Sequence, residues 1–289
     1  MCKVTNFWAF SRHLHGFFVF LQQIMEESVI TSTQNAKVKH VVALQQKSAL
    51  RRKEGLFVVE GRRELMHCLE AGYEVVETFV LDELNLYGLG KQDRLGITYR
   101  VSHQVYEKIA YRGSTEGMMA VVREKQLSLD DLQLGSAPLI MVLERVEKPG
   151  NLGAVLRSAD AAKADAVIIC DPLTDLYNPN LIRSSIGAIF SVPCVACSSE
   201  ACIAFLKAHG IQILTAQLQD SSLYYDTDML GGTAIVMGTE STGLTDIWRQ
   251  AADAHIRIPM LGKLDSLNVS VSAAILLFEA VRQRQSVKS

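Results

Sequence analysis

Three stretches in the second half of the chain gather amides, hydroxyls, small residues and a few charges at the ends of apolar runs. The first, residues 144–160, runs from Glu144 through Pro149-Gly150 to Asn151, Gly153, Arg157 and Asp160. Pro-Gly makes a turn, and Asn151 can cap the helix that follows. Arg157 then stands nearly two turns inside that helix. Alone, this is a capped helix with an i,i+3 ion pair to Asp160. The second, residues 235–244, is a strand that ends in Met237-Gly238 and continues into Thr239, Glu240, Ser241, Thr242 and Gly243. A strand closed by glycine, then an acid and a second glycine, exposes backbone amides and carbonyls to a ligand. The third, residues 258–272, holds Ile258, Met260, Gly262, Ser266, Leu267 and Asn268 and opens an apolar helix. Capping alone would explain Ser266 and Asn268.

A guanidinium, a carboxylate, two amides and a hydroxyl suit a reaction in which charge develops on an oxygen. They need elements that bring them together. The second half alternates continuous apolar strands with amphipathic helices, which predicts a mainly parallel sheet covered on both faces. The expected strands lie over 139–143, 166–170, 192–196, 211–216, 234–237 and 255–258. The helices lie over 151–163, 179–187, 200–209, 244–252 and 269–283. Ligands of such sheets bind beyond the carboxyl ends of the strands, where all three polar stretches fall. Neither GxGxxG nor GxxxxGK[ST] occurs, so an ordinary dinucleotide or P-loop site lacks its phosphate cradle.

Together the three stretches resemble the SpoU (TrmH-like) family of the SPOUT methyltransferases. The resemblance rests on N-x-G-x-x-x-R at 151–157, M-G-x-E-x-x-G-L at 237–244 and I-P-M with S-L-N-V-S at 258–270. It implies an S-adenosylmethionine-dependent RNA 2′-O-ribose methyltransferase, without a metal, working as a cytoplasmic homodimer with its active site near the interface. It also implies an α/β SPOUT domain with a deep C-terminal trefoil knot, an exception to the rule against knots. By carry-over, Gly238, Ile258 and Leu267 line the donor pocket, with Met237, Thr239, Met260 and Gly262 beside them. Asn151, Arg157, Glu240, Ser266 and Asn268 match reaction-centre positions. Ser241 departs from the pattern, standing where many relatives have glycine. The arginine is the base in family proposals. The strong basicity of a guanidinium favours instead a charge that holds phosphate and steadies an alkoxide.

The first half reads as a smaller α/β unit over 25–123, with helices over 34–50 and 101–110, a further helix after the Glu60-Gly61 turn that ends near Ala71-Gly72, and strands over 56–59, 75–81 and 117–122. It resembles the family's ribosomal-protein-like substrate-binding domain. The polar segment 124–137 reads as the linker, and 138–289 as the methyltransferase domain. Net charge is −2, so the molecule as a whole is no polycation. Between Lys37 and Arg63, however, eight Lys/Arg face two acids, a composition that suits a polyanion bound at one end. Lys37, Lys39, Arg51, Arg52 and Lys53 are the expected RNA contacts. The ribose target fits RNA, and the extra first domain favours large-subunit ribosomal RNA, with transfer RNA as the alternative. A silent RNA-binding protein on the same fold is the chief rival, yet no polar member of the motif set is missing.

The six cysteines read as buried thiols in a reducing compartment. Cys194-x-x-Cys197 with Cys202 has metal-like spacing but lacks a second pair. Residues 1–24 hold an apolar run too short to span a bilayer and no small-residue cleavage site. They read as an extension ahead of a conventional start at Met25.

Overall fold

The computed structural model describes residues 29–82, 92–111, 116–239 and 241–286. The expected extension at 1–24 and Glu240 lie outside the described residues.

The first half is built on a four-stranded sheet. Helices α1 (Ala36–Gln46) and α2 (Ser48–Glu54) lead into β1 (Leu56–Glu60), followed by α3 (Arg62–Glu70), β2 (Val75–Leu81), β3 (Ile97–Val101), α4 (His103–Ile109) and β4 (Met118–Arg123). The order is β1-β4-β2-β3, with only β2–β3 parallel. Val38, Val41 and Leu44 form one apolar stripe of α1. With Val105 and Ile109 of α4 they cover Val58, Phe79, Met119 and Val121. The helix expected over 34–50 breaks at Lys47, whose extended backbone (φ −116°, ψ 102°) separates α1 from α2. The helix expected from Val101 starts at His103, because Val101 closes β3, a strand the sequence did not reveal.

The second half places β5 (Leu139–Glu144), α5 (Pro149–Ala161), β6 (Ala166–Cys170), α6 (Pro179–Ser185), α7 (Ala188–Ser191), β7 (Cys194–Cys197), α8 (Ser199–Ala208), β8 (Gln212–Ala216), β9 (Ser222–Leu223), β10 (Thr233–Met237), α9 (Asp246–Ala251), β11 (Ala254–Arg257) and α10 (Val269–Ser286). Its sheet has the order β7-β6-β5-β10-β8-β11-β9, and every pair is parallel. Every residue of β5, β6 and β10 is buried, as continuous apolar strands require. Helices α5, α6 and α10 cover one face, and α8 and α9 the other. Strand β10 enters between β5 and β8. The order therefore reverses at the centre and opens a crevice at the carboxyl ends of these strands.

One apolar core runs through both units. Phe57 of β1 stacks on Tyr177 with ring centroids 4.3 Å apart, and Tyr73 meets Phe190 edge-on at 5.2 Å. Arg51 crosses the same boundary. It is 3% exposed, pairs with Asp175 at 2.6 Å and donates to the carbonyls of Leu44 and Gln45. This corrects its expected role: a guanidinium enclosed by a carboxylate and two carbonyls has nothing left to offer RNA. The segment 124–137 is irregular except for the turn Leu129–Asp131, and Leu129, Leu132 and Leu134 pack on the core beneath α8 and α9.

Removing one partner of a buried ion pair leaves the other uncompensated. Arg51→Ala should therefore cost about 3–5 kcal/mol in urea unfolding, against about 0.5 kcal/mol or less for exposed Arg52→Ala. Equal losses would show that Arg51 is not the inter-unit anchor.

Candidate active site

Three loops leave the carboxyl ends of β5, β10 and β11 and meet over the crevice. The first turns into α5, whose N-terminal turn carries Asn151. Helix α5 begins at Pro149 with Lys148 as its cap, so Asn151 lies inside the helix and does not cap it, contrary to expectation. Its side chain turns instead to the third loop. Asn268 Nδ2 donates to Asn151 Oδ1 at 3.1 Å, while Asn268 Oδ1 accepts from the Ser270 amide at 3.0 Å and hydroxyl at 2.6 Å. One amide thus caps α10 and ties it to α5 across 117 residues of sequence.

The second loop folds back on its strand. Thr239 and Gly243 form an antiparallel bridge, with the Gly243 amide 3.1 Å from the Thr239 carbonyl. A Cβ on Gly238 would lie 2.2 Å from the Gly243 carbonyl carbon, so only glycine fits there. Gly243 takes φ +67°, whereas Ser241 needs no positive φ and fits without strain. The loop is moored from below by Glu144, 1% exposed at the end of β5. Its carboxylate accepts from the Thr245 amide at 2.8 Å and hydroxyl at 2.5 Å. Ser199 lies 3.5 Å from the same carboxylate, donates to Asp171 at 2.6 Å and accepts from Trp248 Nε1 at 3.0 Å.

Two hollows result. Asn151, Gly238, Thr239, Ser241 and Val269 line one of about 270 Å³. Met237, Ile258, Met260, Ser266 and Leu267 line the other, of about 150 Å³, together with Ala216, Gln217 and Leu218 from the end of β8. The buried Gln217 Oε1 has no hydrogen-bond partner, although the Nε2 of the same amide donates to the Gln219 carbonyl at 2.9 Å. An apolar slot with one unsatisfied acceptor and a glycine-tight backbone fits a purine bearing an exocyclic amine, such as the adenosyl part of S-adenosylmethionine.

The remaining expected site residues lie apart. Gly262 is exposed and lines neither hollow. Arg157 is exposed on α5 and lines neither hollow. Six residues of helix place it about 9 Å from Asn151 along the axis and turn it about 120° away. The ion pair expected between Arg157 and Asp160 is absent among the described residues; Asp160 accepts from Ser191 at 2.9 Å. In the basic segment, Lys39, Arg52 and Lys53 are exposed. Lys37 pairs with Glu77 at 2.6 Å and lies over the Tyr99 ring, and the Glu77 carboxylate raises its pKa. Sequence reasoning did not assign Glu144, Thr245 or Gln217. Glu144 signals itself as the acid ending a wholly apolar strand, whereas Gln217 becomes visible only once β8 is seen beside β10 and β11.

Residues 138–278 match the SpoU rRNA Methylase family, and residues 35–120 match an MRM3-like substrate binding domain. The chain is 35% identical over 211 residues to the 23S rRNA (guanosine-2′-O-)-methyltransferase RlmB of Vibrio vulnificus, covering 71% of this chain and 83% of the relative. It is 29% identical over 250 residues to the 23S rRNA (guanosine(2553)-2′-O)-methyltransferase RlmP of Bacillus subtilis, covering 86% and 97%. Among solved structures, an RNA 2′-O ribose methyltransferase superposes with TM-score 0.77 at 38% identity, covering 89% of this chain and 99% of the other. An AdoMet-bound rRNA methyltransferase from Sinorhizobium meliloti superposes with TM-score 0.82 at 28% identity, covering 88% and 97%.

Gly238→Ala should push the second loop off its strand. Calorimetry should then show S-adenosylmethionine affinity weakened by about tenfold or more, the factor that corresponds to about 1.4 kcal/mol of lost contact. Undiminished affinity with an unchanged circular dichroism spectrum would disconnect this loop from the donor.

Proposed function

Because the chain belongs to the SpoU rRNA methylase family, we propose that it methylates a ribose 2′-hydroxyl of large-subunit ribosomal RNA, using S-adenosylmethionine. The observation that carries the reading is the joining of Asn151 to Asn268 beside Gly238 and next to the apolar slot. Relatives that match most of their length to this chain carry 23S rRNA in their names, which favours ribosomal over transfer RNA.

When bound, S-adenosylmethionine supplies an electrophilic methyl group on a sulfonium. Met237, Gly238, Ile258, Met260 and Leu267 would hold the donor by apolar contact and backbone groups, and the unpartnered Gln217 Oε1 could accept a hydrogen bond from it. Thr239 and Gly262 belong to the same two loops. Asn151, Asn268 and Ser266 position the ribose. Holding two reacting atoms in near-attack geometry can supply up to ~7–11 kcal/mol, so positioning is the main catalytic term. Arg157 remains protonated, grips the neighbouring phosphate and steadies the charge growing on the ribose oxygen. Glu240 orients Arg157 or receives the hydroxyl proton through water.

The unit spanning 25–123 reads the RNA through Lys39, Arg52 and Lys53, with Lys37 partly neutralised by Glu77. The enzyme acts as a cytoplasmic homodimer, and its carboxyl-terminal segment carries the family's trefoil knot. Leu261 and Leu264 are 96% and 76% exposed, and Val271 and Phe278 leave a half-exposed apolar stripe on α10. Such a surface is costly in water and suits a second copy of the chain.

Mapping 2′-O-methyl sites in RNA from a deletion strain against its parent should reveal one missing site in large-subunit RNA; an unchanged ribosomal map would end this assignment. Arg157→Ala should abolish most turnover while calorimetric donor affinity stays within about twofold, since the lost charge acts on the substrate. Charge reversal of Lys39, Arg52 and Lys53 should weaken RNA binding and flatten its salt dependence by about one slope unit per phosphate contact.

A further inference from the structure

Behind the active-site loops lies a cluster of thiols that the methyl-transfer chemistry does not use. Cys170 closes β6, Cys197 closes the neighbouring β7, and Cys202 sits one turn into α8. Cys170 and Cys197 are register partners in adjacent parallel strands, and Cys202 returns over them because α8 packs on the same face. The three Sγ atoms lie within 4.8 Å of one another. Cys194, whose spacing to Cys197 looked metal-like in the sequence, belongs to the opposite core and takes no part. No disulfide forms among the described cysteines.

We propose that Cys170, Cys197 and Cys202 bind a thiophilic divalent d10 cation, zinc being the representative ion. Zinc–thiolate bonds of about 2.3 Å place tetrahedral ligand sulfurs roughly 3.8 Å apart, so the sulfurs need draw in by no more than about 1 Å. Cys170 and Cys202 are fully buried and Cys197 is half-buried, which gives the ion a route in and leaves solvent to fill the fourth position. Asp171, next in sequence to Cys170, is held by Ser199 at 2.6 Å and stays outside the cluster. Binding passes the thiol protons to solvent, leaving three thiolates on the cation. The ion would brace β6, β7 and α8 where Ser199 helps to moor the second active-site loop. The site is therefore structural and exchangeable and plays no part in methyl transfer.

The test uses full-length protein purified under reducing conditions, stripped with chelator and titrated with zinc against a chromophoric competitor. One zinc per chain is expected, with a near-ultraviolet thiolate-to-metal charge-transfer band when cobalt replaces zinc. Cys197→Ser and Cys202→Ser should lose the bound ion, while Cys194→Ser and Cys68→Ser should retain it. In the wild-type chain zinc should also slow alkylation of Cys197, a readout that depends on no variant. Substoichiometric uptake, retention in Cys197→Ser and Cys202→Ser, loss in Cys194→Ser, or alkylation unaffected by zinc would each overturn the proposal.

Discussion

A buried carboxylate at the end of β5, beside the central strand β10, governs the shape of the candidate active site. Glu144 is enclosed where β5 stops, and a buried carboxyl group there must find hydrogen-bond partners. Thr245 supplies two, an amide and a hydroxyl, and so fixes the point at which the chain leaves the second loop and enters α9. Ser199 has one proton to give and gives it to Asp171, at 2.6 Å against 3.5 Å to Glu144, while accepting from Trp248. The acid, two hydroxyls and the indole thus join β5, β6, α8 and α9 beneath the loop that must present Gly238. That loop is held at two points, at Gly238, which has no room for a Cβ against Gly243, and at Thr245, which is bound to Glu144.

The same economy appears at the boundary between the two units. Arg51, Arg52 and Lys53 are consecutive cations on one short helix, yet they point to different ends. Arg51 is folded inward against Asp175, and its neighbours face solvent. The stacked rings of Phe57 and Tyr177 add apolar burial to that ion pair, so the orientation of the first unit over the second is set by one continuous core. Docked this firmly, the first unit would deliver the RNA it is proposed to read to a fixed place.

Periodicity was enough to recover the parallel sheet, because β5, β6 and β10 are buried on both faces and read as unbroken apolar runs. It missed β3, a partly exposed edge strand whose Ile97 is 60% exposed, and the two-residue β9. Motif spacing pointed to the three loops and to Gly238, whose type is fixed because a Cβ there would meet Gly243, whereas Gly262 has open space. Side-chain roles that depend on a distant partner were hidden. Arg51 looked like any other cation until Asp175 was found 124 positions away, and Asn151 looked like a cap until Asn268 was found to hold it. Cys194 paired with Cys197 in sequence, but alternation along a strand sends residues three apart to opposite faces. The thiol that does meet Cys197 is its register partner, Cys170.

Arg157 illustrates how spacing constrains mechanism. Asn151 and Arg157 share a helix, and six residues rotate one about 120° from the other. Their Cα–Cβ directions therefore differ by about a third of a turn, so any contribution of Arg157 to a ribose held beside Asn151 depends on the length of its side chain. A guanidinium that had to take a proton from the hydroxyl would need to sit among the amides. One that grips a phosphate need only border the path of the RNA, and an exposed position on α5 satisfies that. The exposed apolar stripe of α10 lies on the helix that packs against α5. Geometry and basicity thus both favour the electrostatic role proposed for Arg157.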